Sequence, residues 1–255
     1  MNAHWRSIRL FLRQDFNQRF ADNAIGVAWA LILPLAQLAL FAVLFIQIFK
    51  ARVPGLEGVG YLAFLALGMW PWFAFAEAVD RGSGALVDNA GLLGKVAVPP
   101  WHLILARILM AFALHGIGFT LVLLVLWIDG VPLAWHWLLL SLLAWPPLFV
   151  LACALATILA LLRVFVRDLA QITPFLLQAL MFSSPILYAA EMMPERVREW
   201  LALNPLAVWI SAIRDPLLWD RGMQNVGIGL IGMLLLAAIA LLMYRRLRVH
   251  VEDYL

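Results

Sequence analysis

Long stretches without a charged side chain divide this sequence and predict membrane-spanning helices. No charged residue stands between Asp22 and Lys50, and five further uncharged stretches of comparable length follow. A helix needs about 20 apolar residues to cross the hydrocarbon core of a bilayer, so each of these stretches is long enough. The pattern therefore predicts six spans, at residues 27–49, 60–79, 103–127, 137–162, 170–189 and 225–244.

The composition agrees with an integral membrane protein. Of the 255 residues, 65% are hydrophobic and only 13% are charged, whereas about 25% of the residues in a soluble domain carry a charge. The mean hydropathy is +0.94. We predict an all-α membrane protein in which residues 1–255 form a single transmembrane domain. The one cysteine, Cys153, excludes a disulfide within the chain.

The distribution of basic residues predicts the orientation in the membrane. Six spans place both termini on the same side, and that side collects twelve of the 18 Lys and Arg residues. Basic residues are enriched in cytoplasmic loops. We therefore place both termini, and the loop at residues 82–102, in the cytoplasm. The basic residues are scattered over short loops rather than gathered on one face, which argues against a nucleic-acid partner.

Residues 5–20 have the spacing of an amphipathic helix. Apolar side chains, among them Trp5 and Phe16, recur every three or four positions, while Arg13 and other arginines lie between them and Arg19 stands near the end. Such a helix suits the boundary between the lipid headgroups and the acyl chains. We predict an interface helix that anchors the N-terminus and could also contact a partner.

The loop at residues 82–102 is unusually apolar for a connection outside the lipid. The loop has a candidate helix N-cap, continues with aliphatic residues and one lysine, and then reaches a proline that cannot continue a helix. In chain order these residues are Asp88 or Asn89 as the cap, then Leu92, Leu93, Lys95, Val96 and Pro99. A short apolar helix on the aqueous side needs a cover. It either lies on the headgroups or docks into a soluble partner, and the loop alone leaves both alternatives open.

Residues 190–221 contain an apolar stretch that is too short to span the membrane. Its longest uncharged run has 14 positions, fewer than the roughly 20 that a span needs. We predict two short helices at the extracytoplasmic surface, one of which dips back into the membrane. The residues that mark these helices and their turn are Trp200, Asn204, Pro205 and Trp209.

Aromatic residues cluster at the end of the second predicted span. Trp70, Trp72, Phe73 and Phe75 precede Glu77, and helical spacing puts Trp70, Phe73 and Glu77 on one face. Such a cluster either packs in a core or lines a channel, where flat apolar rings can stack against a cargo without one fixed hydrogen-bond pattern. An acidic side chain at this depth must face protein or water.

Five partial motifs occur in order along nearly the whole chain. They are Arg19-Phe20 followed by Gly26, Trp29 and Pro34, then Gly68-x-x-Pro71-Trp72, the apolar loop at 82–102, the turn at 163–168, and Asn204-Pro205-Leu206. This series resembles the permeases of ABC-type polysaccharide and polyol-phosphate exporters, a family that includes O-antigen, capsule and teichoic-acid exporters.

The resemblance implies a transport subunit rather than an enzyme. It implies a homodimer with two cytoplasmic ABC ATPase subunits, which would bind ATP and Mg²⁺ and dock on the loop at 82–102. This chain would hold no cofactor, because Val96 stands where a phosphate-binding loop requires Ser or Thr after Gly94-Lys95. The implied cargo is an undecaprenyl-linked polysaccharide, such as an O-antigen chain, that crosses the bacterial inner membrane. The helices at 190–221 would form the outer gate.

Two other function classes compete with this interpretation. A membrane enzyme acting on a lipid-linked sugar would gather catalytic side chains, but Glu77, Asp80 and Asp88 show no paired catalytic spacing. An ion-coupled secondary transporter would carry a repeat, but residues 1–127 and 128–255 do not match each other. An ATPase that co-purifies with the chain would distinguish the exporter from both.

Overall fold

The computed structural model describes residues 3–20, 26–56, 60–93 and 98–254, and these residues form a helical bundle. The helices are α1 (Ala3–Phe20), α2 (Trp29–Ala42), α3 (Tyr61–Gly84), α4 (Ala90–Leu93), α5 (Trp101–Ile128), α6 (Leu138–Leu143), α7 (Trp145–Phe165), α8 (Leu169–Phe182), α9 (Glu195–Leu203), α10 (Pro205–Trp219), α11 (Val226–Leu247) and α12 (Val251–Tyr254).

Five helical segments in the described part of the chain are long and apolar enough to cross a membrane, and they correspond to five of the six predicted spans. The first joins a short turn, α2 and a wider helical turn, and the fourth joins α6 to α7 across a break at Ala144. Trp145-Pro146-Pro147 follows this break, as expected for prolines that cannot continue a helix. The segments are Gly26–Ile48, Tyr61–Gly84, Trp101–Ile128, Trp135–Phe165 and Val226–Leu247.

The span predicted at 170–189 is shorter in the structure. Its helix, α8, has 14 residues and ends at Phe182, so it rises only about 21 Å against a hydrocarbon core of about 30 Å. The chain then turns inward, and the hydroxyl of Tyr61 donates to the carbonyl of Leu187. Ser183-Ser184-Pro185 follows α8 directly, and Pro185 has no N–H with which to extend it.

Helix α3 is the centre of the bundle. Of the residues in the most apolar stretch of α3, 83% are buried, whereas only 6% are buried in the corresponding stretch of the segment that contains α2. Helices α5, α7 and α10 pack around it. The approach of α7 is close, because a Cβ at Gly82 would lie 2.8 Å from the Cβ of Ala156. Ala156 therefore packs closely against α3, and Ala152 and Ala160, one turn away on the same face, are buried as well.

The two ends of α3 contact different parts of the chain. At its C-terminal end, Arg81 pairs with Asp15 of α1 at 2.6 Å. At its N-terminal end, the ring of Phe64 lies 6.1 Å from the ring of Trp219, at the end of α10. We refer to these as the α1 end and the α10 end of the bundle.

Candidate functional site

A charged cluster lies in an open cleft of about 480 Å³ between α2, α3, α5 and α8. Arg19 of α1 makes two hydrogen bonds to the carboxylate of Glu77, and the distance from Nη2 to Oε2 is 3.1 Å. On the other side, Nε2 of the buried His115 lies 2.9 Å from Oε2 of Glu77. This cluster holds the end of α1 against α3 and α5, and it places Glu77 between protein and an open cavity.

The structure separates the aromatic residues into two groups. Trp72 and Phe73 line the cleft together with Trp29 and other residues. Trp70 and Phe75 are buried in the core of the chain, at 1% relative exposure each. Of the five residues proposed from the sequence to line a channel, Trp72, Phe73 and Glu77 contribute to the wall of the cleft, although Trp72 and Phe73 are themselves largely buried. Trp70 and Phe75 pack inside.

The position of Trp70 has a definite steric cause. Gly118 of α5 faces it so closely that a Cβ at this glycine would lie 2.3 Å from the indole Nε1. Trp70 in turn packs edge-on against Phe73, with their ring centroids 6.0 Å apart. The missing side chain at Gly118 therefore provides the space that the indole occupies.

A network of ion pairs connects the segment at 82–102, predicted from the sequence to be cytoplasmic and to dock an ATPase, to the bundle. Nη1 of Arg107 lies 2.6 Å from Oδ2 of Asp88, and its Nε lies 3.6 Å from Oδ1 of the buried Asp15. Asp15 also binds Arg81. Asp88 is therefore linked through Arg107 to both α1 and α3.

The remaining residues of that segment have distinct environments. Leu93 is buried and Leu92 half-buried, so the protomer itself covers much of the aliphatic pair. Asn89 donates through Nδ2 to the carbonyl of Ala85, and Asp88 binds Arg107. Among the described residues, neither side chain accepts from a backbone N–H, as the predicted helix cap would. Gly91 is exposed. Pro99 accepts a backbone hydrogen bond from His102, and Lys95 and Val96 lie outside the described residues.

Helix α1 matches the predicted interface helix at 5–20. Ile8 and Phe20 are buried against the bundle, whereas Trp5, Arg13 and Phe16 are exposed. The predicted apolar stripe is thus shared between the protein and the outer surface. Arg19, predicted as part of the interface helix, binds Glu77 in the cleft.

The segment at 190–221 forms α9 and α10. Asn204 caps α10 by accepting from the backbone N–H of Leu206, and its Nδ2 donates to the carbonyl of Ser183 and to Ser184 Oγ. Pro205 occupies the first position of α10, where no N–H is needed. Trp200 is 76% exposed on α9 and Trp209 is 2% exposed on α10. The two tryptophans therefore have opposite environments.

Helix α10 packs closely on α11 through two glycines. A Cβ at Gly232 would lie 2.9 Å from Pro205, and one at Gly229 would lie 2.7 Å from Val208. The helix continues through Pro216 to Trp219, although a proline inside a helix removes one backbone hydrogen bond.

Arg214 is a buried residue that sequence reasoning missed. Its side chain is only 2% exposed. Nη1 donates to the carbonyl of Pro185 at 2.7 Å, and Nε donates to the carboxylate of Asp215 at 2.9 Å. Its guanidinium carbon lies 4.2 Å above the ring of Phe64. An arginine that interrupts an otherwise apolar stretch must find partners inside the protein. This rule could have predicted from the sequence that Arg214 is buried and paired.

An ion pair between Glu191 and Arg221 lies near Arg214. Nη2 of Arg221 is 3.1 Å from Oε1 of Glu191. Burial favours the neutral acid, but a backbone hydrogen bond and the hydrogen bond and charge of Arg221 outweigh it. Together they hold the pKa of Glu191 below its ordinary value. Glu191 therefore carries its charge at neutral pH.

Comparison with known proteins gives a consistent result across most of the chain. The model of the family described as ABC-2 type transporter matches residues 6–218. The polysialic acid transport protein KpsM of Escherichia coli is 27% identical over 238 residues, which cover 92% of this chain and 91% of that protein. The O-antigen export system permease protein RfbA of Klebsiella pneumoniae is 28% identical over 205 residues, covering 79% and 76%. Its namesake in Myxococcus xanthus is 26% identical over 197 residues, covering 76% and 74%.

Proposed function

Because the chain belongs to the ABC-2 type transporter family, we propose that it is the transmembrane subunit of an ATP-driven exporter of polysaccharide. The observation that carries the proposal is the family match, which extends over residues 6–218 and includes four of the five long apolar segments. Relatives named for polysialic acid transport and for O-antigen export support a polysaccharide cargo. The chain is a transport subunit, and ATP and Mg²⁺ would bind to a separate ATPase.

We further propose a homodimer that moves an undecaprenyl-linked, O-antigen-like glycan across the bacterial inner membrane. Large apolar side chains on α2, α8 and α11 are exposed in the single protomer, among them Leu33, Phe175 and Leu235. Such surfaces need lipid or a second copy to cover them. The cleft that holds Trp72 and Phe73 opens beside α2 and α8, so a second copy at these helices would enclose it.

The proposed topology has six membrane crossings and both termini in the cytoplasm. Helix α8, the turn after it and the helices α9 and α10 would complete the sixth crossing and the outer surface. Irregular backbone at membrane depth is tolerated where protein satisfies it, and Asn204 and Arg214 do this for the carbonyls of Ser183 and Pro185. The basic residues of the α1 end support its placement in the cytoplasm.

Two ATPase subunits would act through the segment at 82–102. Asp88 of this segment is joined by Arg107 to Asp15 of α1, and Asp15 is joined to Arg81 of α3. A force on the segment would therefore reach α1 and α3 together through charged contacts. ATP-driven closure of the ATPases would shift the bundle between two arrangements.

Gly91 provides a test of the docking surface. This glycine is exposed and a Cβ there would have open space within the protomer, so Gly91→Arg should fold normally. An arginine side chain inserted into a packed interface should lower the amount of co-purified ATPase about tenfold. The measurement is affinity purification of the tagged permease after co-expression with its ATPase, followed by quantification of both subunits.

Gly227→Arg is the matched control. A Cβ at Gly227 also has open space, and this residue lies in the first turn of α11, near Gly229 and the α10 end. The control should retain the ATPase. If no ATPase co-purifies with the unaltered chain, the exporter function is wrong; if Gly91→Arg retains the ATPase as Gly227→Arg does, the docking surface is elsewhere.

The cleft gives a second prediction. Trp72→Ala and Phe73→Ala should each lower surface polysaccharide several-fold at an unchanged level of membrane protein, because an apolar stacking surface for sugar rings is lost. The measurement is surface glycan in a strain that depends on this permease, normalised to the permease in the membrane. Leu139→Ala, on the outer surface of α6, is the control. Full export by both cleft variants would remove these aromatics from the path.

A further inference from the structure

A polar cavity of about 150 Å³ lies at the α10 end, between α9, α10 and the loop that leads into α11. Three arginines and two carboxylates line it, so positive charge is in excess. These residues are Arg198, Arg214, Arg221, Glu191 and Asp215.

The carboxylates are already engaged with two of the arginines. Arg214 binds Asp215 at 2.9 Å, and Arg221 binds Glu191 at 3.1 Å and lies 3.7 Å from Asp215. Among the described residues, no hydrogen bond or ion pair involves the side chain of Arg198. The excess positive charge of the cavity is therefore that of Arg198, on α9.

The loop on the opposite wall supplies Arg221 to the lining of the cavity. The Nε of Arg221 is buried and has no hydrogen-bond partner among the described residues. Asp220 and Asn225, at the two ends of this loop, have φ of 51° and 54°, a left-handed conformation that Asp and Asn adopt more readily than other non-glycine residues.

We propose that this cavity binds an oxyanion, a carboxylate or phosphate group, on the face of the protein opposite α1. Guanidinium groups bind both kinds of oxyanion through paired, charge-assisted hydrogen bonds, and Arg198 lines the cavity outside its internal ion pairs. The inference rests on the proposed export function for its source: the oxyanion belongs either to an acidic sugar of the cargo or to the headgroup of a membrane lipid.

The binding of two small probes to the full-length chain tests the site. The chain is placed in nanodiscs of phosphatidylcholine and titrated with glucuronate and, separately, with inorganic phosphate. Ligand that binds the folded state raises the thermal unfolding midpoint, and the rise grows with the logarithm of the ligand concentration once that exceeds the dissociation constant. Arg198→Gln should lower the association constant of both probes about tenfold, because one charge-assisted contact is lost. Arg196→Gln, an exposed neighbour on α9 that does not line the cavity, should leave it unchanged.

A second arm identifies the source of the oxyanion. Nanodiscs that contain phosphatidylglycerol should weaken the apparent binding of glucuronate if a lipid headgroup occupies the cavity. Equal binding in both kinds of nanodisc assigns the site to the cargo. The proposal is overturned if the unaltered chain binds neither probe, or if Arg198→Gln and Arg196→Gln bind them equally. The assay needs neither ATPase nor transport, so its failure would leave the proposed export function intact.

Discussion

Replacing Arg214 with leucine should destabilise the protein more than any other substitution of a charged residue discussed above. The change leaves the carbonyl of Pro185 without its donor and Asp215 without its nearest cation. Breaking a buried ion pair by removing one partner costs about 3–5 kcal/mol. For a chain of this size the loss corresponds to a fall of about 10 °C in the thermal midpoint, measured on purified protein by size-exclusion chromatography after heating.

Three companion variants make this prediction specific. Arg196→Leu removes an exposed arginine from α9 and should change the midpoint little. Arg214→Lys keeps the charge but loses the fork that reaches both partners, and should lie between the leucine variant and the unaltered protein. Adding Asp215→Asn to Arg214→Leu removes the unpaired charge and should recover part of the loss. A midpoint for Arg214→Leu equal to that of Arg196→Leu would contradict the account of the buried pair.

Hydropathy predicted most of the spans because a bilayer imposes a length on apolar segments. It overestimated the length of the helix at 170–189, because α8 ends before Pro185 and the turn that follows depends on distant residues. Asn204 and Arg214 supply hydrogen bonds to the carbonyls of Ser183 and Pro185, and these contacts allow the chain to turn inside the bundle. These hydrogen bonds depend on tertiary packing, and a hydropathy average over neighbouring residues carries no information about it.

The aromatic cluster shows the same limit at the level of a single helix. Helical spacing correctly put Trp70, Phe73 and Glu77 on one face, and His115 of α5 contacts that face beside both Phe73 and Glu77. How deeply a ring on that face packs depends on what α5 presents opposite it. Gly118 accommodates Trp70, and this pairing cannot be read from either helix alone.

The charged residues were predictable in kind but not in partner. An acid such as Glu77 near the membrane interior was expected to face protein or water. Its partners Arg19 and His115 lie 58 and 38 positions away in the sequence. The charged cluster therefore connects α1 to α3 and α5 through residues far apart in the sequence. It lies next to the aromatic residues proposed to contact the cargo.

The contact between Gly118 and Trp70 leads to the second large prediction. In Gly118→Ala the new methyl group would lie 2.3 Å from Nε1 of Trp70 and 2.7 Å from two ring carbons. The indole is rigid and buried, so α5 and α3 must move apart. Overpacking of this kind costs about 1–3 kcal/mol and often more. We expect a lower thermal midpoint and a lower yield of the permease in complex with its ATPase.

Gly116→Ala is the matched control on the same helix. A Cβ at Gly116 meets open space, and alanine favours helix over glycine by about 1 kcal/mol, so this variant should be as stable as the unaltered protein or more so. Trp70→Leu in the Gly118→Ala background removes the obstructing ring, and the double variant should be more stable than Gly118→Ala alone. The packing of α3 on α5 would need revision if Gly118→Ala behaved like Gly116→Ala, because the indole would then lie elsewhere and the cleft beside Trp72 and Phe73 would have a different wall.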